Sequence, residues 1–184
     1  MLEQEYKKII TFLNNQKIDY LVIGGIAVSV IGNPRETKDI DFCLFIRKSE
    51  IKGFLDKAEG KGFIIDKKMM LEHAKSTGCF YFTDNDVRID FLVASHKLEK
   101  TAFTRKILIK MHGVKAYYPS PEDLILLKII PGRLRDLADA EDIAKRHAEK
   151  LDKKYLLTWA QKLSDEAEDF RIYREIKKLL KFSA

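Results

Sequence analysis

A chain of 184 residues with 46% apolar side chains suits one domain, or a core with a helical appendage, and can bury a real hydrophobic core. It carries no apolar run long enough to cross a bilayer, and residues 1–8, with Glu3 and Glu5, show no export pattern, so the expected setting is cytoplasmic with no membrane partner. The formal net charge of +6 admits a polyanion such as RNA as partner, while Cys43 and Cys79, far apart and outside any CxxC pattern, argue against a disulfide framework or a structural zinc site.

Leu2, Tyr6, Ile9, Ile10 and Leu13 recur at helical spacing and predict an amphipathic helix over residues 2–16. Residues 20–23 form a short apolar run that reads as a buried strand. Gly24 and Gly25 follow, with a short helix over 26–31 and a breaker at Gly32-Asn33-Pro34. Residues 39–45 alternate as a strand, with Ile40, Phe42 and Leu44 on one face and Asp39, Asp41 and Cys43 on the other. Ser49 is the expected cap of a helix carrying Ile51, Phe54, Leu55 and Ala58, ended by Gly60 or Gly62. Residues 63–65 read as a short strand and 67–77 as helix or loop.

Residues 79–82 and 87–93 read as a hairpin about Asp84-Asn85-Asp86, and 107–111 with 114–118 as a second about His112-Gly113. Ser120-Pro121-Glu122-Asp123 is a helix start, with Ser120 as cap, Pro121 in the first turn and Asp123 reaching back as a capping box. That helix runs to Ile130 and is interrupted by Pro131-Gly132. Further helices are expected over about 133–150, 154–163 and 166–181. In the last, Phe170, Tyr173, Ile176 and Leu180 form an apolar stripe read as core packing. Strands mixed with helices, then helices alone, argue for an α+β or α/β chain with a helical C-terminal part.

Three features carry chemistry. Gly24-Gly25 between strand and helix lets the backbone approach a ligand, and free N–H groups at a helix start suit an anion. Asp39 and Asp41, two residues apart on a strand, project from one face; like charges so placed repel unless a cation joins them, and carboxylate oxygens suit Mg²⁺. Asp90 sits in the apolar strand 87–93, where a carboxylate is costly unless paired with a base such as Arg88 or bound to metal.

Together these residues resemble the DNA polymerase β-like nucleotidyltransferase superfamily. Its hydrophobic-Gly-Gly motif is Ile23-Gly24-Gly25 here, its Asp-hydrophobic-Asp-hydrophobic motif is Asp39-Ile40-Asp41-Phe42, and its later hydrophobic-Asp-hydrophobic strand is Ile89-Asp90-Phe91. Gly24-Gly25-Ile26-Ala27, Gly32, and Arg35-x-Thr37-x-Asp39-x-Asp41 are similar to the small prokaryotic nucleotidyltransferases that include abortive-infection toxins of the type IV toxin–antitoxin class. So are the downstream Pro121-Glu122-Asp123-Leu124, Lys128, Gly132-Arg133 and Asp136-x-x-Asp139. The resemblance covers residues 18 to 143.

It implies an α+β fold with a nucleotidyltransferase-type mixed β-sheet core flanked by helices. The implied domains are a catalytic core over 1–118 and a helical region over 119–184 packed on it. It implies transfer of a nucleoside monophosphate from a nucleoside triphosphate to an acceptor hydroxyl. The net charge favours RNA such as tRNA as acceptor; a toxin role with an antitoxin partner follows from the branch alone. Asp39, Asp41 and Asp90 are the implied catalytic residues and ligands of Mg²⁺ (or Mn²⁺), with Asp90 helping to deprotonate the acceptor. Gly24 and Gly25 would hold the triphosphate, with Arg35, Thr37 and Lys128 as further nucleotide contacts. The residues themselves leave open the pairing of Arg35 with Glu36 or Asp39, and of Lys128 and Arg133 with Asp136 or Asp139; Arg133 with Asp136 reads as a structural pair. A nucleotide- or partner-binding protein of the same fold without catalysis is the alternative.

Overall fold

The computed structural model describes residues 2–182; residue 1 and residues 183–184 of the expected domain ranges lie outside the described residues. The chain forms two compact units, one of residues 1–26 with 36–118 and one of residues 27–35 with 119–184.

The first unit is built on a four-stranded sheet. Helix α1 (Leu2–Asn15) buries Tyr6, Ile9, Ile10 and Leu13, the stripe that predicts it. Strand β1 (Tyr20–Ile23) leads into helix α2 (Gly24–Ile31), whose last five residues group with the second unit. Strand β2 (Asp39–Leu44) follows, then a 3-10 turn at Lys48–Glu50 and helix α3 (Ile51–Glu59). Ser49 lies inside that turn, so it does not cap α3; Glu50 stands at the cap position.

Residues 67–77 settle as helix α4 (Lys67–Thr77), capped by the Asp66 carboxylate accepting from the Met69 N–H and closed by Gly78 in the left-handed region. The strand expected at 63–65 reduces to a single bridge between Ile64 and Thr83. Strands β3 (Cys79–Asp84) and β4 (Val87–Val93) form the hairpin, with Asn85 and Asp86 both at positive φ as a two-residue turn of this twist demands. The sheet order is β1-β2-β4-β3, with β2 and β4 parallel and the outer pairs antiparallel.

One face of this sheet is aromatic. Phe42, Phe80, Phe82 and Phe91 are buried there, with Phe54 of α3 and Phe12 of α1; the Phe42 and Phe91 rings stack at 5.5 Å and those of Phe80 and Phe91 at 5.1 Å. The other face is covered in part by a helix that the sequence reading missed, α5 (Lys97–Thr104). Its Ala102 and Phe103 pack with Leu21, Cys43 and Ala94, against which Leu92 and Ile23 rest. Glu99 fixes its start by accepting from the Ser95 and His96 N–H groups. A second hairpin, β5 (Ile107–Met111) and β6 (Val114–Tyr118), turns at His112 and Gly113, both at positive φ. Tyr118 is buried and its hydroxyl meets that of Tyr6 at 2.7 Å.

The second unit is helical. Helix α6 (Pro121–Ile129) starts at Ser120, whose hydroxyl accepts from the Asp123 N–H. Asp123 is fully buried; its carboxylate takes the Ser120 and Tyr155 hydroxyls. Helices α7 (Leu134–Arg146), α8 (Lys153–Ala167) and α9 (Arg171–Phe182) follow. Arg171 donates to the carbonyls of Ile129 and Ile130, tying the start of α9 to the end of α6. The expected core stripe of the last helix needs correcting. Its buried side chains are Ile172, Ile176 and Leu179, whereas Phe170 is 66% exposed. The face the helix buries is therefore rotated from the one that residues 170, 173, 176 and 180 suggest.

The fold is therefore α+β, a mixed sheet flanked by helices and followed by helices, as the resemblance implies. No helix among the described residues is long and apolar enough to cross a membrane.

Candidate functional site

Strand alternation and register assemble the carboxylates. On the parallel pair β2 and β4, Asp41 lies opposite Asp90 and Asp39 opposite Arg88, while Ile40, Phe42, Ile89 and Phe91 point to the aromatic face. Oxygens of Asp39, Asp41 and Asp90 all lie within 4.8 Å of one another. Helix α5 covers Cys43 and leaves this end of the same face open, so Asp39 is exposed and Asp41 and Asp90 are half-buried.

Gly24 closes the floor of the cluster. Its φ is +62°, and a Cβ there would sit 1.9 Å from Asp41 Oδ2. The site thus needs glycine twice, for backbone conformation and for space. Gly25 continues the first turn of α2, where N–H groups lack helical acceptors. Thr37 donates its hydroxyl to Asp39 Oδ1 at 2.7 Å and so orients that carboxylate.

Arg88 supplies the cluster with a positive charge. Its Nε lies 3.0 and 2.8 Å from the two Asp90 oxygens and its Nη2 2.8 Å from one of them. The guanidinium lies over the Tyr81 ring, 3.9 Å from its centroid. These hydrogen bonds, with the charges of Asp90 and Asp39, hold Arg88 above its ordinary pKa despite some desolvation. The pairing of Asp90 with Arg88 and its place beside Asp39 and Asp41 therefore coexist. Tyr81 is the member that sequence reading missed. Its signal is the hairpin register, which sets Tyr81 opposite Asp90 once the turn at Asn85-Asp86 is fixed.

Three oxygen donors converging on one open point fit a hard divalent cation, the ligand type and number that leave positions for water and phosphate oxygens. Metal of that charge would compensate the carboxylate repulsion that Arg88 relieves at Asp90.

The remaining predicted site residues lie in the second unit and bind one another. Lys128 is buried between Asp136 at 3.0 Å and Asp139 at 3.1 Å. Arg35 forks onto Asp139, with Nε and Nη2 at 3.0 and 3.2 Å from its two oxygens, and Arg133 pairs with Asp136. Burial pushes the Asp136 carboxyl up, but hydrogen bonds from Lys128 and Arg133 outweigh it and hold the group below the usual carboxylate value. The ion pairing left open for Lys128 and Arg133 is what the structure contains, whereas Arg35 pairs with Asp139, a distant carboxylate and not one of the sequence neighbours Glu36 and Asp39. Cys43 is buried, and burial pushes its thiol well up, which suits a small core side chain.

Residues 1–183 match the family described as "Nucleotidyltransferase of unknown function (DUF6036)". The chain belongs to that family. No curated protein matches the sequence. Among solved structures, the chain shares its fold with the lincosamide antibiotic adenylyltransferase LnuA, in its lincomycin-bound crystal structure. That match has 15% identity and a TM-score of 0.54, and covers 78% of this chain and 95% of the other. An antigenic nucleotidyltransferase-like protein from Paracoccidioides brasiliensis is similar at 16% identity and a TM-score of 0.54, over 98% of this chain and 92% of the other. At these identities the likeness is one of fold, and it is the DUF6036 match, with the polymerase β-like motif residues gathered at one point, that makes this chain a nucleotidyltransferase by family.

Proposed function

We propose that this chain is an active, metal-dependent nucleotidyltransferase: an acceptor hydroxyl oxygen attacks the α-phosphorus of a nucleoside triphosphate, the bond to the β-phosphate breaks, and pyrophosphate leaves as the nucleoside monophosphate joins the acceptor. The observation that carries the reading is the convergence of Asp39, Asp41 and Asp90 within 4.8 Å, with the Gly24 backbone pressed against Asp41. Asp39 and Asp41 would hold Mg²⁺ or Mn²⁺ and Asp90 would join them. Bound there, the cation supplies charge stabilisation at the attacking and leaving oxygens. The chain does the rest. Gly24 and Gly25 would let backbone N–H groups hold the anionic phosphates. Thr37 fixes the rotamer of Asp39. Asp90, held half-buried, takes up the proton of the acceptor hydroxyl once Arg88 no longer occupies both its oxygens.

The acceptor we favour is RNA, tRNA included, on the net charge of +6. A toxin role with an antitoxin partner in the cytoplasm rests on the branch resemblance, and it predicts growth arrest on expression, relieved by a neighbouring gene product. A second reading, a nucleotide- or partner-binding protein without catalysis, is favoured by one observation. Arg88 engages both oxygens of Asp90, a cation already standing where a metal ligand is expected.

The two readings separate in one assay. Protein, Mg²⁺ and each α-labelled nucleoside triphosphate are incubated with total RNA and cell extract, beside an Asp39→Ala/Asp41→Ala control. Label on RNA, protein or a small molecule that needs the intact carboxylates supports the transferase and names its acceptor class. Absence of transfer with every nucleotide, from folded protein, favours the binding protein. In a thermal melt, saturating Mg²⁺ or Mn²⁺ at about 100 times its dissociation constant stabilises the native chain by about 2.7 kcal/mol. The control variant should gain nothing; equal gains would remove the metal site.

A further inference from the structure

The outward face of α9 is a basic stripe with an aromatic head. Phe170, Tyr173, Arg174, Lys177, Lys178 and Lys181 line one shallow groove. Their spacing of three and four residues puts them on a single helical face, opposite the buried Ile172, Ile176 and Leu179. The Phe170 carbonyl accepts from the Arg174 N–H, so Phe170 keeps helical phase with the rest.

Charge is segregated onto this helix. Residues 171–182 carry five basic residues and one acidic, whereas residues 119–170 carry nine basic and twelve acidic. A merely solvated surface has its signs mixed, as α7 and α8 do. Some of the charge is compensated: Arg174 leans on Glu175 at 3.6 Å, and Lys178 is within electrostatic reach of Glu141. Lys177 and Lys181 have no ion pair among the described residues; Lys177 lies over the Tyr173 ring at 5.6 Å.

At the head of the stripe the Phe170 and Tyr173 rings lie 5.6 Å apart. Phe170 is exposed beside Tyr173, and a nucleobase offers a flat apolar face that can stack on such rings. Cations spaced along a groove with aromatic rings at one end match a single strand, whose phosphates and bases alternate along its length. A protein partner of matching charge would satisfy the lysines, but it gives no reason for paired rings at the end of a cationic row.

We propose that the α9 stripe is a binding surface for single-stranded RNA, with phosphates along Arg174, Lys177, Lys178 and Lys181 and a base stacked at Phe170 and Tyr173. The surface lies outside the carboxylate cluster and needs neither nucleoside triphosphate nor metal, so it stands or falls apart from the transferase reading.

The test is fluorescence anisotropy of a labelled short oligouridylate with the full chain, in EDTA, across a salt series. Native protein binds, with affinity falling as salt rises by a log–log slope of about −0.7 per phosphate neutralised. Lys177→Glu/Lys181→Glu weakens binding by roughly tenfold or more and removes roughly half of that slope. Phe170→Ala weakens binding by roughly tenfold while leaving the slope unchanged, because it removes stacking and not charge. Lys110→Glu/Lys115→Glu, an equal charge change on exposed residues of the β5–β6 hairpin, binds as native does. Asp39→Ala/Asp41→Ala also binds as native does, whatever its transfer activity. Equal loss in the hairpin variant would overturn the proposal in favour of unspecific net charge. So would absence of native binding, or binding to vesicles of anionic lipid but not to the oligonucleotide.

Discussion

At Gly24 one hydrogen atom decides whether the carboxylate cluster exists. Gly24→Ala places a methyl group inside the Asp41 carboxylate and forces a left-handed backbone on an L residue, which costs about 1–2 kcal/mol before any collision is counted. Transfer activity is expected to vanish, with loss of about 2 kcal/mol or more in urea denaturation. A variant of native stability and activity would remove Gly24 from the site. Arg88→Gln makes the opposite kind of change. It leaves Asp90 beside Asp41 without compensation, so the metal-free melting temperature falls by the equivalent of about 0.5–1 kcal/mol, kept small by the exposure of this pair. The gain on adding Mg²⁺ should then exceed that of the native chain; an equal gain in both would show that Arg88 and the metal do not compete. At this scale the sequence was most legible. Two-residue spacing put Asp39 and Asp41 on one side of a strand without further information. What spacing cannot show is that Asp90 falls opposite Asp41, because parallel register between distant strands is set by tertiary packing.

Among the elements, α6 and α7 are joined by charge as well as by apolar packing. Lys128→Met removes the ammonium from between Asp136 and Asp139 and leaves two buried carboxylates short of a partner, a change worth about 3–5 kcal/mol. If the main role of Lys128 is instead to contact nucleotide, the variant melts as native does and shows a raised KM for the triphosphate. Arg171→Ala strips the Ile129 and Ile130 carbonyls of their donor and is expected to cost about 1–2 kcal/mol in the same denaturation measurement. Helices with strong local signals were legible: α1 by its stripe and α6 by Ser120 and Pro121. Helix α5 was not, since its N-cap is His96 rather than serine or aspartate and its eight residues make little more than two turns of pattern. The reading of Phe170 as core failed for a related reason. Residues 170, 173, 176 and 180 and residues 172, 176 and 179 both have helical spacing, and spacing alone does not say which of the two stripes faces the core.

For the molecule as a whole, acid is expected to act through the charged network of the second unit. The Asp136 carboxyl lies below its unfolded value of about 4. Its contribution to stability is therefore complete above that pH and is lost as pH falls through the lower, folded value. A melting-temperature series should fall below about pH 4, and Asp136→Asn should flatten that fall while lowering stability at neutral pH. An unchanged acid limb in the variant would place the sensitivity elsewhere.

The second unit also has a history imposed by the order of its pieces. Its first nine residues, 27–35, leave the ribosome long before residues 119–184, which they join. There Gly32 abuts Ile143, and Arg146 and His147 donate to the Gly32 and Ile31 carbonyls. At about 5–20 residues per second, the intervening stretch takes roughly 4–17 s to emerge. During that interval the nascent chain carries Ala27, Val28 and Ile31 without the helices that bury them, so this short segment is where a chaperone or protease would first find purchase.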